Sequence, residues 1–347
     1  MSSRPTLKRH DAIRVFSSAL LALCWFFLYA AAPAEAAGER AEKPVRVKAE
    51  KIDHVTVCVK NLEETIKLYE RFFETEFFRV KPVALGALGV RATALNAFGI
   101  ELAEAGVGDG EAAKFQKRMG DALWGIAFKV PDLEEAIAAM QTHGLRLLAR
   151  EDNATRKVAV FHPEDTFGVL LKLVEYTPSY AIGSLETVEQ WKKSNPSRQA
   201  GAPSSEKPRL KVEKINHALL IVSDLSKATR FFMALFGSRF YDPGSRNFTA
   251  DGLGFELIGN PASGLLKKNG AEGVFAFLSL KIADFEQALD LLGAGGGQVL
   301  QKRILSTRKV ALVYPTPLGI GLELIEYRPL AHPIVGLEME ESLKSAK

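Results

Sequence analysis

Two histidines stand at the head of nearly the same segment in this sequence. The stretch "KIDHVTVCVKNLEETI" is echoed by "KINHALLIVSDLSKAT", so His54 and His217 occupy equivalent positions. A neutral imidazole is a common metal ligand, and near neutral pH it can also take up or release a proton. Both positions are therefore candidates for the site where the protein carries out its chemistry.

Glutamates recur in the same way, one set in each half of the chain. Glu101 in "FGIELAEA" matches Glu256 in "LGFELIGN", and "LLKLVEY" matches "GLELIEY", which contains Glu323. The stretch "SNPSRQAGAPSSEKPR" between the halves is rich in Ser, Pro, Gly and Ala and has no apolar period, which is typical of a linker. The sequence therefore predicts a duplicated domain.

A fainter repeat divides each half again. "NLEETI" resembles "DLEEAI", and "DLSKAT" resembles "DFEQAL", so the chain contains four modules. In the first module His54, Thr56 and Cys58 alternate with valines, which predicts a strand with two different faces. An amphipathic helix follows from Leu62, and three short strand candidates come after it. The predicted order is strand, helix, strand, strand, strand, in an α+β fold.

Four βαβββ modules in two tandem pairs resemble the vicinal oxygen chelate (VOC) superfamily, which includes glyoxalase I, methylmalonyl-CoA epimerase, bleomycin-resistance proteins and extradiol dioxygenases. The best-matching pieces are "KIDHVTVCVKNLEETIKLYERFF", "GIAFKVPDLEEAI" and "GIGLELIEY". The resemblance implies two glyoxalase-like domains with cup-shaped mixed sheets. The boundaries that we predict are 49–177 for the first domain, 178–211 for a connector helix and linker, 212–329 for the second domain and 330–347 for a C-terminal tail.

The resemblance also implies a divalent metal held by the first and fourth strands of each module. In the first half the matching positions are His54, Glu101, Gly125 and Lys172. Glycine offers no ligand and an ammonium group repels a cation, so the second pair of ligands is missing. We expect Lys172 to pair with Glu101 where the ion would otherwise lie.

In the second half the matching positions are His217, Glu256, Phe277 and Glu323, so three of the four ligands remain. One imidazole and two carboxylates suit Zn, Mn, Ni, Co or Fe. The alternative is that His217 only forms hydrogen bonds within the cup and that both carboxylates are solvated at its mouth. Two inward-facing carboxylates without a cation would be costly to bury.

The pairing of the modules is left open by the sequence. If the first module pairs with the fourth, the ligand set becomes His54, Glu101 and Glu323. Under neither pairing do two histidines meet one carboxylate, so the iron triad of an extradiol dioxygenase is disfavoured.

Cations recur at the start of another strand, in the repeated "TRK". Arg308 and Lys309, with Phe277, are our candidates for the rim of the second cup, where they would meet a carboxylate or phosphate. Two functions stay open. One is a small-molecule binding protein, as in bleomycin-resistance relatives. The other is a metal-dependent lyase or isomerase that acts on a vicinal-dioxygen substrate, with Glu256 or Glu323 moving a proton.

The N-terminal residues and the composition bound the setting of the protein. The apolar run "VFSSALLALCWFFLYAAA" follows a basic start and precedes "APAEAA", which predicts a signal peptide over residues 1–36, or else an N-terminal anchor. We therefore expect a periplasmic or secreted protein. The net charge of the whole chain is only +4, which gives no reason to expect nucleic acid as a partner. The oligomeric state stays open.

Overall fold

A computed structural model describes residues 45–73, 75–81, 83–177, 209–241, 248–259, 275–305 and 307–328. The first module contains four strands, its expected helix and two further short helices. These elements are β1 (Lys51–Val59), α1 (Leu62–Phe72), β2 (Phe77–Val80), α2 (Val83–Gly86), β3 (Val90–Asn96), β4 (Ile100–Ala105) and α3 (Glu111–Met119).

The other three modules repeat the same order of strand, helix and three strands. The second module has β5 (Ala122–Lys129), α4 (Leu133–Thr142), β6 (Leu147–Asp152), β7 (Arg156–Phe161), a 3₁₀ turn (Pro163–Thr166) and β8 (Leu170–Tyr176). The third has β9 (Val212–Val222), α5 (Leu225–Phe236), β10 (Phe240–Tyr241), β11 (Phe248–Asp251) and β12 (Phe255–Gly259). The fourth has β13 (Phe275–Ile282), α6 (Phe285–Ala294), β14 (Val299–Ile304), β15 (Arg308–Val313) and β16 (Gly321–Tyr327).

The strands form two curled eight-stranded sheets, one in each half. The orders are β2-β3-β4-β1-β5-β8-β7-β6 and β10-β11-β12-β9-β13-β16-β15-β14. In each sheet the first strands of the two modules run antiparallel at the centre, and each pairs in parallel with the last strand of its own module. The predicted α+β fold of four βαβββ modules is confirmed. The modules pair within each half, so the alternative that joins the first module to the fourth is wrong.

The repeated helix motif supplies an N-cap to the main helix of each module. Asn61, Asp132, Asp224 and Asp284 each stand immediately before their helix and accept a hydrogen bond from a backbone N–H three residues later, at 3.2, 2.9, 2.8 and 3.0 Å. Such a cap satisfies one of the free N–H groups at the start of a helix. The fainter sequence repeat therefore marks the start of the helix in every module.

The alternation along β1 separates two cores. Val55, Val57 and Val59 join the core on the convex side of the sheet, where α1, α4, α5 and α6 pack. Cys58 faces the concave side, where α2 and α3 fill part of the first cup together with Trp124. Burial raises the pKa of the Cys58 thiol to about 12, in keeping with the small buried side chain that the sequence predicts.

The convex faces of the two sheets share one core. The ring of Phe128 on β5 lies 4.9 Å from Phe236 and 5.2 Å from Phe255, both in the second half. The hydroxyl of Tyr69 on α1 donates to the carbonyl of Leu318 at 3.4 Å. Buried aromatic pairs of this kind contribute to stability beyond the area that they bury, so the two halves support each other.

Several expectations fall on residues outside the described ranges. These are the signal peptide, the connector helix predicted within residues 178–211, and the C-terminal tail. Within the described ranges, no helix is both long and apolar enough to cross a bilayer.

Candidate metal centre and its counterpart

Three strands at the middle of the second sheet position the ligand candidates of the second cup. His217 on β9 lies opposite Ser279 on β13, and Ser279 lies beside Glu323 on β16. Glu256 comes from β12, which pairs with β9 on its other edge. All three candidates are buried, with exposed fractions of 6 to 8%. The structure therefore brings together His217, Glu256 and Glu323, the set that the sequence proposes for this cup.

The ligand atoms of this set converge. Nε2 of His217 lies 2.8 Å from Oε2 of Glu256 and 2.6 Å from Oε2 of Glu323, and one ligand atom from each residue falls within 4.8 Å of the others. Yet these three buried atoms form no hydrogen bond of acceptable geometry. One nitrogen and two oxygen atoms thus meet at a single place inside the cup. This arrangement fits a divalent cation held by one nitrogen and two oxygen ligands.

The charges of the set are strongly coupled. Burial alone lowers the pKa of His217, but the carboxylates of Glu256 and Glu323 outweigh it and raise that pKa to about 10. Burial and the nearby charge of Glu323 raise the pKa of Glu256, whereas the charge of His217 overcomes burial and lowers the pKa of Glu323. Without a metal, the imidazolium of His217 is thus the cation that balances these acids.

Asn216 and Tyr327 support the imidazole from behind, and we did not single them out in the sequence. Nδ2 of Asn216 lies 2.7 Å from Nδ1 of His217, and the hydroxyl of Tyr327 donates to Oδ1 of Asn216 at 3.3 Å. An outer partner on the second ring nitrogen fixes the orientation of a ligating histidine. The signal was present, because "INH" and "IEY" recur as "IDH" and "VEY" in the first half.

Phe277 occupies the one ligand position of the second cup that has no ligating side chain, but it does not lie at the rim of the cup. Its side chain is fully buried in the cup among Leu219, Ile221 and Tyr314. The neighbouring strand carries Gly321, and a Cβ there would come within 2.7 Å of the phenyl ring. The rim assignment of Phe277 is therefore wrong, since the missing side chain at Gly321 makes room for the ring inside the cup.

The two cations of the second "TRK" face opposite sides of β15. The charge of Arg308 acts on Glu256 and Glu323, and the buried Nε of Arg308 has no hydrogen-bond partner among the described residues. Lys309 instead binds Glu326 at 2.9 Å and lies over the ring of Phe285 at the start of α6. The rim assignment of Lys309 is wrong, because successive side chains of a strand point to opposite faces.

The first cup holds an ion pair at the equivalent place. Nζ of Lys172 lies 2.5 Å from Oε2 of Glu101, and Thr56 donates to the same oxygen at 2.8 Å. Across the first sheet, Ala127 on β5 lies between His54 on β1 and Lys172 on β8. Across the second sheet, Ser279 on β13 lies in the same way between His217 on β9 and Glu323 on β16. The expected Lys172–Glu101 pair is present.

The imidazole of the first cup has a fixed environment. Nδ1 of His54 lies 2.7 Å from Oδ2 of Asp53, which also accepts from the hydroxyl of Tyr176 at 2.8 Å. Burial and then the charge of Lys172 lower the pKa of His54. Despite burial, the ammonium group of Lys172 lowers the pKa of Glu101 to about 2. The first cup therefore holds a neutral imidazole and an ionised carboxylate, with an ammonium group as the cation.

The alternative set of His54, Glu101 and Glu323 is not brought together. His54 and Glu101 lie in the first sheet, and Glu323 lies in the second. Gly125 on β5 lies opposite Thr56 on β1, and a Cβ added at Gly125 would come within 3.0 Å of Leu170. The position that would hold the second histidine is thus already tightly packed.

Comparisons with known proteins agree with this architecture. The sequence model of the Glyoxalase/Bleomycin resistance protein/Dioxygenase superfamily matches residues 51–173 and 214–323. The chain belongs to this superfamily. It is also 25% identical to the uncharacterized protein YqjC of Bacillus subtilis over 128 residues, which cover 36% of this chain and 91% of that protein.

Solved structures with the same fold cover most of the chain. A triple mutant of 4-hydroxymandelate synthase from Streptomyces coelicolor superposes with a TM-score of 0.54 at 15% identity, over 87% of this chain and all of that one. The Mn(II)-bound glyoxalase from Novosphingobium aromaticivorans gives a TM-score of 0.53 at 12% identity, over 80% and 82%. At such identities the likeness shows the fold alone.

Proposed function

We propose that the second cup is a divalent metal centre that binds a small molecule through two neighbouring oxygens. The observation that carries this proposal is the convergence of three buried ligand atoms, on His217, Glu256 and Glu323, that make no hydrogen bonds of acceptable geometry. A bound Zn, Mn, Fe, Co or Ni ion would supply a Lewis acid with open positions for the substrate oxygens. The Mn(II)-bound glyoxalase supports this proposal as a member of the same fold.

The residues of the chain itself would orient and enclose the ligand. Asn216 and Tyr327 hold the imidazole of His217 in place from behind. Phe277, Leu219 and Ile221 form an apolar wall that keeps water from that side of the cup. The guanidinium of Arg308 adds a positive charge near the two glutamates, where it would favour an anionic ligand.

The test is the metal content of the protein purified without chelator, measured by plasma mass spectrometry. Wild type and His54→Ala should carry close to one ion per chain, whereas His217→Ala should carry none. The two variants are matched, because each removes the first-strand histidine of one cup. Metal retained in His217→Ala, or no metal in wild type after incubation with Zn, Mn, Fe, Co and Ni, would contradict the proposal.

A second candidate function is proton transfer by Glu256 in a lyase or isomerase. Glu256 is buried beside Glu323, and without metal both burial and that neighbouring charge raise the pKa of Glu256, so its carboxylate takes up a proton more readily than a solvent-exposed one does. This carboxylate would remove a proton from a carbon next to a carbonyl and return it to the same or a neighbouring carbon. An enzyme of this kind needs the metal, so this candidate depends on the first proposal.

Hydrogen–deuterium exchange into small 2-oxo and 2-hydroxy acids, followed by NMR in D₂O, tests this candidate. Glu256→Gln keeps a ligand oxygen but removes the base, so it should lower the exchange rate by about a hundredfold or more while metal content is measured in parallel. Equal exchange by wild type and Glu256→Gln with the same metal content would exclude Glu256 as the base.

We also propose that the protein is exported. The support is the basic start and apolar run of residues 1–36, which lie outside the described residues. Fractionation of cells that express the full chain, with N-terminal sequencing of the product, tests this proposal. A cleaved periplasmic or secreted chain is expected. An uncleaved product in the membrane fraction would indicate an anchor, and a full-length product in the cytoplasm would contradict export.

A further inference from the structure

A small pocket opens in the first cup beside the Lys172–Glu101 pair. Its lining combines the charged residues of the cup with three apolar side chains. The lining residues are His54, Lys81, Ala84, Leu85, Glu101, Glu151, Arg156, Val158 and Lys172. Lys81 is exposed, so the pocket reaches the surface there. Helix α2 contributes Ala84 and Leu85 and so narrows the first cup. The pocket is the polar recess that remains beside this helix.

The two carboxylates of the pocket are already engaged. Oε2 of Glu101 accepts from Lys172 and Thr56. Oε2 of Glu151 accepts from the backbone N–H of Ala84 at 3.2 Å, and its Oε1 accepts from Asn153 at 2.7 Å. Neither carboxylate therefore needs a bound cation as a further partner.

The cations of the pocket are not balanced in the same way. Among the residues that the structure describes, Arg156 and Lys81 have no ion-pair partner. Lys81, Arg156 and Lys172 give three positive charges against two negative charges, which leaves a net charge of +1. Arg156 is only partly exposed, and its charge is close enough to act on Lys172.

We propose that this pocket binds a small carboxylate, with the carboxylate group on Arg156 and Lys81 and a short alkyl part against Ala84, Leu85 and Val158. The planar guanidinium of Arg156 matches the geometry of a carboxylate, which it can bind through two parallel hydrogen bonds. The apolar side chains favour a ligand with a few carbons over inorganic phosphate, which would leave them against a charged group. This site lies in the cup that lacks a metal ligand set, so it does not depend on the metal proposed for the second cup.

Isothermal titration calorimetry with butyrate tests the site on the whole protein, at low ionic strength in buffer freed of metal by a chelating resin. Wild type should bind butyrate, and Arg156→Gln should weaken binding about tenfold or more, since a hydrogen bond to a charged group is worth about 1.5–3 kcal/mol. Lys309→Gln removes a cation that pairs with Glu326 on the face of β15 opposite the second cup, so it is the control, and its affinity for butyrate should be unchanged. His217→Ala should also bind butyrate as wild type does, which separates this site from the proposed metal centre.

Three outcomes would overturn the proposal. They are no butyrate binding by wild type at concentrations up to about 10 mM, equal affinity of wild type and Arg156→Gln, and phosphate binding that is tighter than butyrate binding. Lys81→Gln serves as a second variant at an exposed position, and it should also weaken binding. Thermal denaturation of each variant shows whether a lost signal reflects lost folding rather than a lost site.

Discussion

The two cups share strand order, register and a first-strand histidine, but they carry opposite charges at one decisive position. Lys172 of the first cup and Glu323 of the second stand at equivalent places beside the histidine of their sheet. In the first cup an ammonium group fixed to the chain neutralises Glu101. In the second, two carboxylates and an imidazole face a common centre. In the first cup the cation is thus part of a side chain, whereas in the second we propose that it is an exchangeable ion.

The largest effect is expected when the second cup is given the side chain of the first. Glu323→Lys removes one ligand and places an ammonium group beside Glu256, so metal affinity should fall by about a thousandfold or more. Calorimetry with Mn²⁺ or Zn²⁺ measures this loss. Glu323→Gln, which keeps a neutral oxygen ligand, is the control and should lose much less. Metal binding by Glu323→Lys at wild-type affinity would show that the comparison of the cups is mistaken.

The reverse exchange is expected to create a metal site in the first cup. Lys172→Glu breaks a buried ion pair and puts two carboxylates together, so the metal-free variant should lose about 3–5 kcal/mol of unfolding free energy. Added Zn²⁺ or Mn²⁺ should restore stability and raise the metal content from one to two ions per chain. Lys172→Met is the control, because it loses the pair without gaining a ligand. A metal content of one for Lys172→Glu would show that the cup cannot accept an ion.

The pH dependence of metal binding is expected to report the protonation of the second cup. The pKa of His217 is raised to about 10 without metal, and the ion needs Nε2 unprotonated. Below that pKa one proton must leave, so affinity should rise about tenfold for each pH unit between pH 6 and 8 and would level off only near pH 10. Calorimetry in buffers of different ionisation enthalpy counts the released protons. A release near zero at pH 7 would mean that the imidazole is already neutral.

The smallest effect is expected from giving the second cup the outer partner of the first. Asn216→Asp places a carboxylate behind His217, as Asp53 stands behind His54, and should tighten metal binding by about tenfold because it makes the imidazole a stronger base. Metal competition with a fluorescent chelator measures the change. Asp53→Asn is the matched control in the first cup and should leave metal affinity unchanged. Weaker binding by Asn216→Asp would show that the amide, not a negative charge, is what the site needs.

The repeats were enough to predict the fold and the ligand set of the second cup. The repeat within the second half places Phe277 at the position of His217, and the match of "LLKLVEY" to "GLELIEY" identifies Glu323; the strand register places those residues accordingly. What the sequence left open was which modules share a sheet, because the linker composition allows either pairing. That choice depends on contacts between distant strands, which no local pattern records.

Other predictions are wrong because residues that are adjacent in the sequence need not face the same side in the structure. Arg308 and Lys309 were treated as one cationic pair, although alternation along β15 sends them to opposite faces. The role of Asn216 depends on its contacts, although the match of "INH" to "IDH" already places a polar residue before each histidine. Nδ2 of Asn216 lies 2.7 Å from Nδ1 of His217, and by turning, the amide can place its oxygen where it accepts the Nδ1 proton that an imidazolium or a metal-bound imidazole carries. Asp53 in the first cup offers only acceptors.

The shared core behind the cups has a consequence for how the molecule comes apart. Since Phe128 of the first half packs on Phe236 and Phe255 of the second, neither sheet can separate without exposing a large aromatic surface of the other. A metal ion bound in the second cup would therefore stabilise both halves. Substitutions on the first-half side of the shared core would lower the affinity for that ion. The first half, which lacks a metal ligand set, thus supports the fold of the second half. Its cup residues can change, but the residues of the shared core cannot be lost.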